Sequence, residues 1–203
     1  YIQEFDNIKD YIKNLEHFVS KNLKGNSTKI LFDCMYGVTG ESARLFAKQF
    51  KLENFDVIND SDDPYFGHIL PCPNEAGLEE FKRQVTKGRY NIGLACDADG
   101  DRLGIVAEQG EYYSSNIIMA IIYYYLIKYR NMSGDIVKNY STSNILDNLA
   151  SKFGFEAHET PVGFKWISAK MKETDALFGG ESSGGFTMRN YTPTKDSMFS
   201  IAL

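Results

Sequence analysis

Short apolar segments alternate with amphipathic ones along this chain of 203 residues, and this alternation restricts the fold more than any other feature. Each apolar segment has a length typical of a buried strand, and most are followed by apolar residues at helical spacing. Strands that alternate with helices are joined by right-handed crossovers into a mostly parallel sheet. The sequence therefore predicts an α/β fold. The predicted strands are 29–33, 55–58, 91–95, 103–106, 135–138, 155–158 and 176–178.

The same layout of strands and helices restarts in the second half of the chain. A first helix is predicted from Ile8 to near Leu23, and further helices are predicted around 43–47, 78–85, 117–129, 145–153 and 164–171. We predict two consecutive α/β/α units with mostly parallel mixed sheets, formed by residues 1–109 and 110–203. No strong sequence repeat accompanies the repeated layout.

Composition excludes several classes of protein. A hydrophobic fraction of 43% and a charged fraction of 24% are typical of a chain that buries a core, and the net charge of −5 disfavours nucleic acid and anionic membranes as partners. The longest apolar stretch, 117–127, is too short for a bilayer, which needs about 20 residues. Three scattered cysteines and no secretory signal fit a reducing compartment, so we expect a cytoplasmic protein.

The segment 97–102, here called the aspartate loop, carries the strongest chemical signal. Asp97, Asp99 and Asp101 occupy alternate positions after predicted strand 91–95, with only alanine and glycine between them. Three such carboxylates repel one another unless a cation holds them, and ligands that offer only oxygen favour Mg²⁺ or Ca²⁺. Open α/β sheets place ligands at the carboxyl ends of their strands, where this loop is predicted to lie.

Two other interpretations of the aspartate loop stay open. The three aspartates and Glu108 fall at the first, third, fifth and twelfth positions of a calcium loop, but Arg102 stands where that loop needs glycine. The flanking segments also read as strands, where a calcium loop has helices. Alternatively, the loop is a solvated acidic turn whose charge Arg102 neutralises.

Two further segments have the character of ligand-binding loops. In 178–185, here called the glycine loop, glycines flank Glu181 and Ser183, which offer a hydrogen-bond acceptor and a hydroxyl group suited to sugar hydroxyls. A plain glycine-rich turn is the alternative. In 160–167, Gly163 precedes a predicted helix whose first turn carries Lys165, an arrangement suited to an anion. The alternative is a solvated lysine.

The pattern Asp-x-Asp-x-Asp-Arg resembles the metal loop of the α-D-phosphohexomutases, the phosphoglucomutase and phosphomannomutase family. The resemblance implies that Asp97, Asp99 and Asp101 bind Mg²⁺, to which a phosphorylated serine adds a further ligand. It also implies that Arg102 helps to hold the phosphoserine or the substrate phosphate.

The resemblance extends over nearly the whole chain. The glycine loop is similar to the family's sugar-binding Gly-Glu-x-Ser-Gly loop, which implies that Glu181 and Ser183 bind substrate. The segment around Lys165 is similar to one whose lysine lies in the active-site cleft. Many members have histidine where this chain has Gly185, and 194–196 resembles a basic–aspartate helix start near the end of the third domain.

Complete members of the family have four domains, and this chain resembles the second and third. The phosphoserine loop of the first domain and the phosphate-binding loop of the fourth have no counterpart among the 203 residues. The resemblance implies the central part of an enzyme that interconverts hexose 1-phosphate and 6-phosphate through phosphoserine and a bisphosphate. Without the missing domains, this part is expected to be inactive. A start without methionine and an end inside a helical pattern, at Leu203, agree with that expectation.

Two other functions compete with this one. The first is a stand-alone Mg²⁺-dependent module that binds sugar phosphate without catalysis. The second is a phosphatase of the aspartyl-phosphate type, whose Asp-x-Asp motif is followed by hydroxyl residues, unlike Asp101-Arg102. The choice among glucose, mannose and glucosamine phosphates stays open.

Overall fold

The computed structural model describes residues 7–19 and 23–203. Within them the helices are α1 Ile8–Asn14, α2 Gly40–Phe50, α3 Glu79–Gly88, α4 Ser115–Lys128, α5 Ile145–Lys152, α6 Phe164–Thr174 and α7 Ser197–Ala202. The strands are β1 Ile30–Asp33, β2 Phe55–Ile58, β3 Ile92–Cys96, β4 Leu103–Ala107, β5 Tyr112–Tyr113, β6 Ile136–Asn139, β7 Ala157–Thr160, β8 Phe178–Gly180 and β9 Phe186–Met188. Single turns of 3₁₀ helix occupy Leu15–His17 and Phe66–His68.

The strands form two mixed sheets with the same internal order. The first sheet runs β2-β1-β3-β4-β5 and the second runs β7-β6-β8-β9. In each sheet the first three strands in this order are parallel to one another. Each strand after them pairs antiparallel with the strand before it. The predicted α/β fold with mostly parallel mixed sheets is therefore confirmed.

The two candidate loops occupy equivalent positions in the two sheets. The aspartate loop connects β3 to β4, which pair through Cys96 and Leu103 at the loop end of the hairpin. The glycine loop connects β8 to β9, which pair through Gly180 and Phe186. Each loop thus leaves the carboxyl end of a parallel strand and returns as an antiparallel neighbour, and it lies where such sheets place ligands.

One apolar core extends through both sheets. Its buried members include Phe32 and Leu94 of the first sheet, Ile136 and Phe178 of the second, and Phe199 of α7. Helix α4 contributes seven buried residues to the interior, among them a fully buried tyrosine. This burial accounts for the apolar residues on one side of α4, whereas Ile117, Ile121 and Tyr124 make its exposed side apolar as well.

The structure corrects the predicted first helix. That helix was predicted to reach Leu23, but α1 ends at Asn14 and only one 3₁₀ turn follows, in which the Phe18 N–H donates to the Leu15 carbonyl at 3.0 Å. This tighter hydrogen bond ends the helix early. Part of the predicted continuation, residues 20–22, lies outside the described residues.

Two short strands were missed. β5 has two residues and β9 has three, too few for an alternating pattern to show in the sequence. β5 pairs with β4, so the unit boundary at 109/110 falls in the turn of their hairpin, and it stays a prediction. Among the described helices, none combines the length and apolar character that crossing a membrane requires.

Candidate active site: the aspartate loop and the glycine loop

The aspartate loop is closed around the buried carboxylate of Asp97. Its Oδ1 accepts the backbone N–H groups of Asp101 at 2.9 Å and of Arg102 at 3.0 Å. Its Oδ2 accepts the Nε–H of Arg102 in a charge-assisted bond. Asp97 is only 1% exposed, so these three donors offset the cost of burying its charge.

Glycine residues let other segments approach the loop closely. A Cβ atom at Gly37, in the turn after β1, would stand 2.4 Å from the carbonyl oxygen of Ala98, so no larger residue fits there without displacing the loop. The neighbouring Val38 N–H donates to the same oxygen at 2.9 Å. Gly100 has a φ of 73°, and its carbonyl accepts the Ser197 hydroxyl at 2.6 Å. The loop is therefore fixed from both units.

The three aspartates lie together as predicted from their spacing. One carboxylate oxygen from each of Asp97, Asp99 and Asp101 lies within 4.8 Å of the other two. Desolvation, followed by the charges of Asp97 and Asp101, raises the pKa of the exposed Asp99 above its usual value. A set of three oxygen donors whose charges repel one another fits a hard divalent cation such as Mg²⁺.

The calcium-loop alternative does not fit this geometry. The flanking segments are β3 and β4, where a calcium loop requires helices. Glu108 directly follows the last residue of β4, a strand of five residues, and therefore lies about 16 Å from the loop along that strand. A solvated acidic turn does not account for the burial of Asp97.

Glu181 is the buried centre of the glycine loop. Its carboxylate is 5% exposed, and Oε1 accepts the Gly163 N–H at 2.8 Å and the Asn139 Nδ2–H at 3.1 Å. Asn139 is held in turn by the hydroxyls of Ser141 and Thr142, which donate to its Oδ1 at 2.9 Å and 2.7 Å. Asn139 could not be predicted from the sequence, because a single asparagine at the end of a strand matches no recognised pattern.

Ser183 and Lys165, the other residues predicted here, are exposed. Lys165 lies on the first turn of α6, with its Nζ 5.0 Å from the centre of the Trp166 ring. Among the described residues, neither side chain hydrogen-bonds to another predicted site residue. The structure thus brings Glu181 to the start of α6 and leaves Lys165 and Ser183 open to solvent.

The aspartate loop and the glycine loop meet directly. The backbone N–H of Leu103, next to Arg102, donates to the carbonyl of Gly184 at 3.0 Å. Gly184 has a φ of 107°, a conformation that favours glycine. Lys195 also connects the two loops, because its Nζ lies 2.6 Å from Asp101 Oδ2. The sequence offered one signal for Lys195, the basic–aspartate pattern at 194–196, but that pattern alone gave it no role.

Comparisons with known proteins agree with this arrangement. Residues 9–110 match the family model of the phosphoglucomutase/phosphomannomutase α/β/α domain II, and residues 114–203 match that of domain III. Phosphoglucomutase 1 of Drosophila melanogaster is 30% identical over 99% of this chain and 36% of its own length. Phosphoglucosamine mutase of Nautilia profundicola is 29% identical over 96% of this chain and 44% of its own.

A solved structure from Thermus thermophilus, named as a phosphomannomutase, superposes with a TM-score of 0.91. It is 27% identical, and the match covers 100% of this chain and 47% of that one. This chain thus spans less than half of the length of each of these three relatives. With family models covering both of its sheets, the chain belongs to the phosphoglucomutase/phosphomannomutase family.

Proposed function

We propose that this chain is the central part of a hexose-phosphate mutase, which interconverts the 1-phosphate and the 6-phosphate of a hexose through phosphoserine and a bisphosphate. The relatives support the type of enzyme, because they are named phosphoglucomutase, phosphoglucosamine mutase and phosphomannomutase. The limited coverage of their lengths supports a partial set of domains rather than a stand-alone binding module.

The observation that carries this proposal is the contact between two chemically different loops. Three carboxylates suited to a hard cation lie in one loop, and a buried glutamate suited to hydroxyl groups lies in the other. The bond from the Leu103 N–H to the Gly184 carbonyl joins the two. A phosphorylated sugar needs both: oxygen ligands for a metal that accompanies phosphate, and a fixed acceptor for sugar hydroxyls.

Each site residue has a proposed role. Asp97, Asp99 and Asp101 hold Mg²⁺, which when bound neutralises charge on the phosphoryl group being transferred. Arg102, oriented by its bond to Asp97, presents its remaining guanidinium N–H groups to a phosphate. Glu181 accepts hydrogen bonds from sugar hydroxyls, Ser183 donates one, and Lys165 supplies a positive charge at the edge of the site.

We also propose a boundary between the two units, a contribution from the missing domains and a cellular location. We place the division between the two units at 109/110, and the limits of the two matched family models, 9–110 and 114–203, support a division near this position. The first and fourth domains of the parent protein supply the phosphoserine and the remaining phosphate contacts, so this chain alone binds but does not turn over. A cytoplasmic location is supported by the three free cysteines, Cys34, Cys72 and Cys96.

The proposal is tested by Mg²⁺ titration of the 203-residue chain in a calorimeter. We expect weak binding, because Mg²⁺ held by few protein ligands keeps several of its waters. The Asp99→Asn variant is expected to lose it, since it removes one of three charged ligands without changing side-chain volume.

Asp135→Asn is the matched control. Asp135 lies in a second group that could hold a metal, with Glu156 and His158, at the other end of the second sheet. Binding that survives Asp99→Asn, or that disappears in Asp135→Asn instead, would show that the aspartate loop is not the metal site and would remove the basis of the proposed function.

A further inference from the structure

Lys195 is held between the two loops by two separate contacts. Its Nζ lies 2.6 Å from Asp101 Oδ2, and the side chain is 24% exposed. Its stem lies across Gly185, where an added Cβ atom would stand 2.1 Å from Lys195 Cδ and 2.5 Å from Cγ. The glycine at position 185 therefore leaves the room through which Lys195 reaches the aspartate loop.

The charges of the aspartate loop are partly balanced by side chains of the protein. Arg102 forms a close ion pair with Asp97 and lies 3.7 Å from Asp101 Oδ1, and Lys195 forms the closer ion pair with Asp101. In the described part of the chain, no ion pair involves Asp99. A divalent cation among the three carboxylates would therefore bind beside Asp101 while the ammonium group of Lys195 occupies one oxygen of the same carboxylate.

We propose that Lys195 is an internal counter-ion of the aspartate loop: a positioning residue that holds Asp101 in the metal-free chain and opposes the binding of a divalent cation. This inference rests on the proposed function, because it takes the aspartate loop as the metal site. Two cations that share a carboxylate repel each other, so removing the positive charge at position 195 strengthens metal binding. A purely structural role for Lys195 predicts the opposite sign.

The direct test is Mg²⁺ titration of the Lys195→Met variant of the 203-residue chain at low ionic strength, where screening is weak. Because exposed and half-buried ion pairs are of modest strength, we expect binding to be about two- to fivefold tighter than in the wild type. Lys195→Arg is the matched control: it keeps the charge, and its affinity is expected to stay within about twofold of the wild type.

A second variant moves the ammonium group of Lys195 away from Asp101 without changing any charge. In Gly185→Ala the new methyl group occupies the space of the Lys195 stem, so the side chain must move away from Asp101. The atoms that it would displace belong to one flexible side chain rather than to the backbone. Mg²⁺ binding is therefore expected to be tighter in Gly185→Ala as well, and Gly185→Ala combined with Lys195→Met should bind no more tightly than Lys195→Met alone.

Thermal unfolding of each variant identifies those that fold, and Gly185→Ala decides the question if Lys195→Met does not fold. Equal or weaker Mg²⁺ binding in the folded variant overturns the inference. Asp99→Asn, titrated in the same series, distinguishes a failure of the counter-ion role from a failure of the metal site. If Asp99→Asn abolishes binding while the variants at 195 and 185 leave it unchanged, only the counter-ion role is wrong. If Asp99→Asn leaves binding intact, the proposed metal site itself fails.

Discussion

The buried carboxylate of Glu181 serves both the fold and the proposed chemistry, and substitutions can separate these roles. Glutamine can keep an oxygen on the Gly163 N–H and the Asn139 amide, so Glu181→Gln is expected to unfold at nearly the wild-type temperature. It loses the charged acceptor, which should weaken binding of a hexose 6-phosphate about tenfold. Quenching of Trp166, the one tryptophan in the sequence, measures that binding.

Glu181→Ala provides the contrast. It leaves the Gly163 N–H and the Asn139 amide without their acceptor in a buried place, which should cost about 1–3 kcal/mol of folding free energy in urea unfolding. Sugar-phosphate affinity that is the same in Glu181→Gln and in the wild type would contradict the proposed role of Glu181.

Among individual site residues, those whose neighbours along the chain share their chemistry could be predicted from the sequence. Asp97, Asp99 and Asp101 form one local pattern, so their grouping could be predicted. Asn139 lies 42 positions from Glu181, and its role depends on the pairing of strands that bring the two together. Lys195 likewise reaches Asp101 only through the packing of one unit on the other, which local patterns do not contain.

Among the elements, β6 carries a lysine that connects it to two neighbours. Lys138 is fully buried, and its Nζ lies 2.6 Å from Glu159 of β7 and 3.0 Å from Asp147 of α5. Burial alone would lower the pKa of Lys138, but its bonds to Glu159 and Asp147 outweigh burial and raise it. The strand that presents Asn139 to Glu181 is thus fixed on both sides.

The effect of removing this connection depends on which partner is removed. Lys138→Met leaves two carboxylates on half-exposed side chains, although the Asp147 oxygen that faced Lys138 is buried, and it should cost about 1–2 kcal/mol. The pair Asp147→Asn with Glu159→Gln leaves an unpaired buried ammonium group and should cost about 3–5 kcal/mol. Urea unfolding at neutral pH measures both, and the reverse order would contradict the burial argument.

The ion pairs of Lys138 also predict how the folding stability depends on pH. A folded-state pKa raised above the unfolded value means that the contribution of Lys138 is complete below about pH 10.4 and is lost as pH rises through the folded-state pKa. Between neutral pH and that pH, the stability difference between wild type and Lys138→Met should therefore stay constant, and it should shrink as pH rises further. A difference that shrinks near neutrality would point to another group.

Strand and helix order could be predicted because the inner parallel strands β1, β3, β6 and β8 are largely buried, and because the parallel strands of each sheet are connected through helices. The antiparallel strands could be predicted only in part. β4 was predicted from its apolar run, whereas β5 and β9 take their conformation from pairing with neighbours rather than from their own residues. The early end of α1 has a similar origin, since an apolar pattern continues beyond the last helical hydrogen bond.

For the whole molecule, the shared core predicts that both sheets unfold together. Phe32 of the first sheet and Phe178 of the second belong to one buried cluster. The units are also joined by Tyr11 of α1, whose hydroxyl donates to Asp196 Oδ1 at 2.8 Å, while Asp196 accepts the Phe199 N–H and so caps α7. Separate unfolding of either unit would expose this core and break this bond.

Two probes test that expectation. Trp166 fluorescence reports on the second unit and far-ultraviolet circular dichroism reports on both, and we expect their thermal transitions to coincide. Tyr11→Phe removes a hydrogen bond to a charged group, worth about 1.5 kcal/mol, and should lower both midpoints by about 3–6 °C. A fluorescence midpoint that stays in place while the dichroism midpoint falls would mean that α1 stabilises only the first unit and that the aspartate loop and the glycine loop can separate.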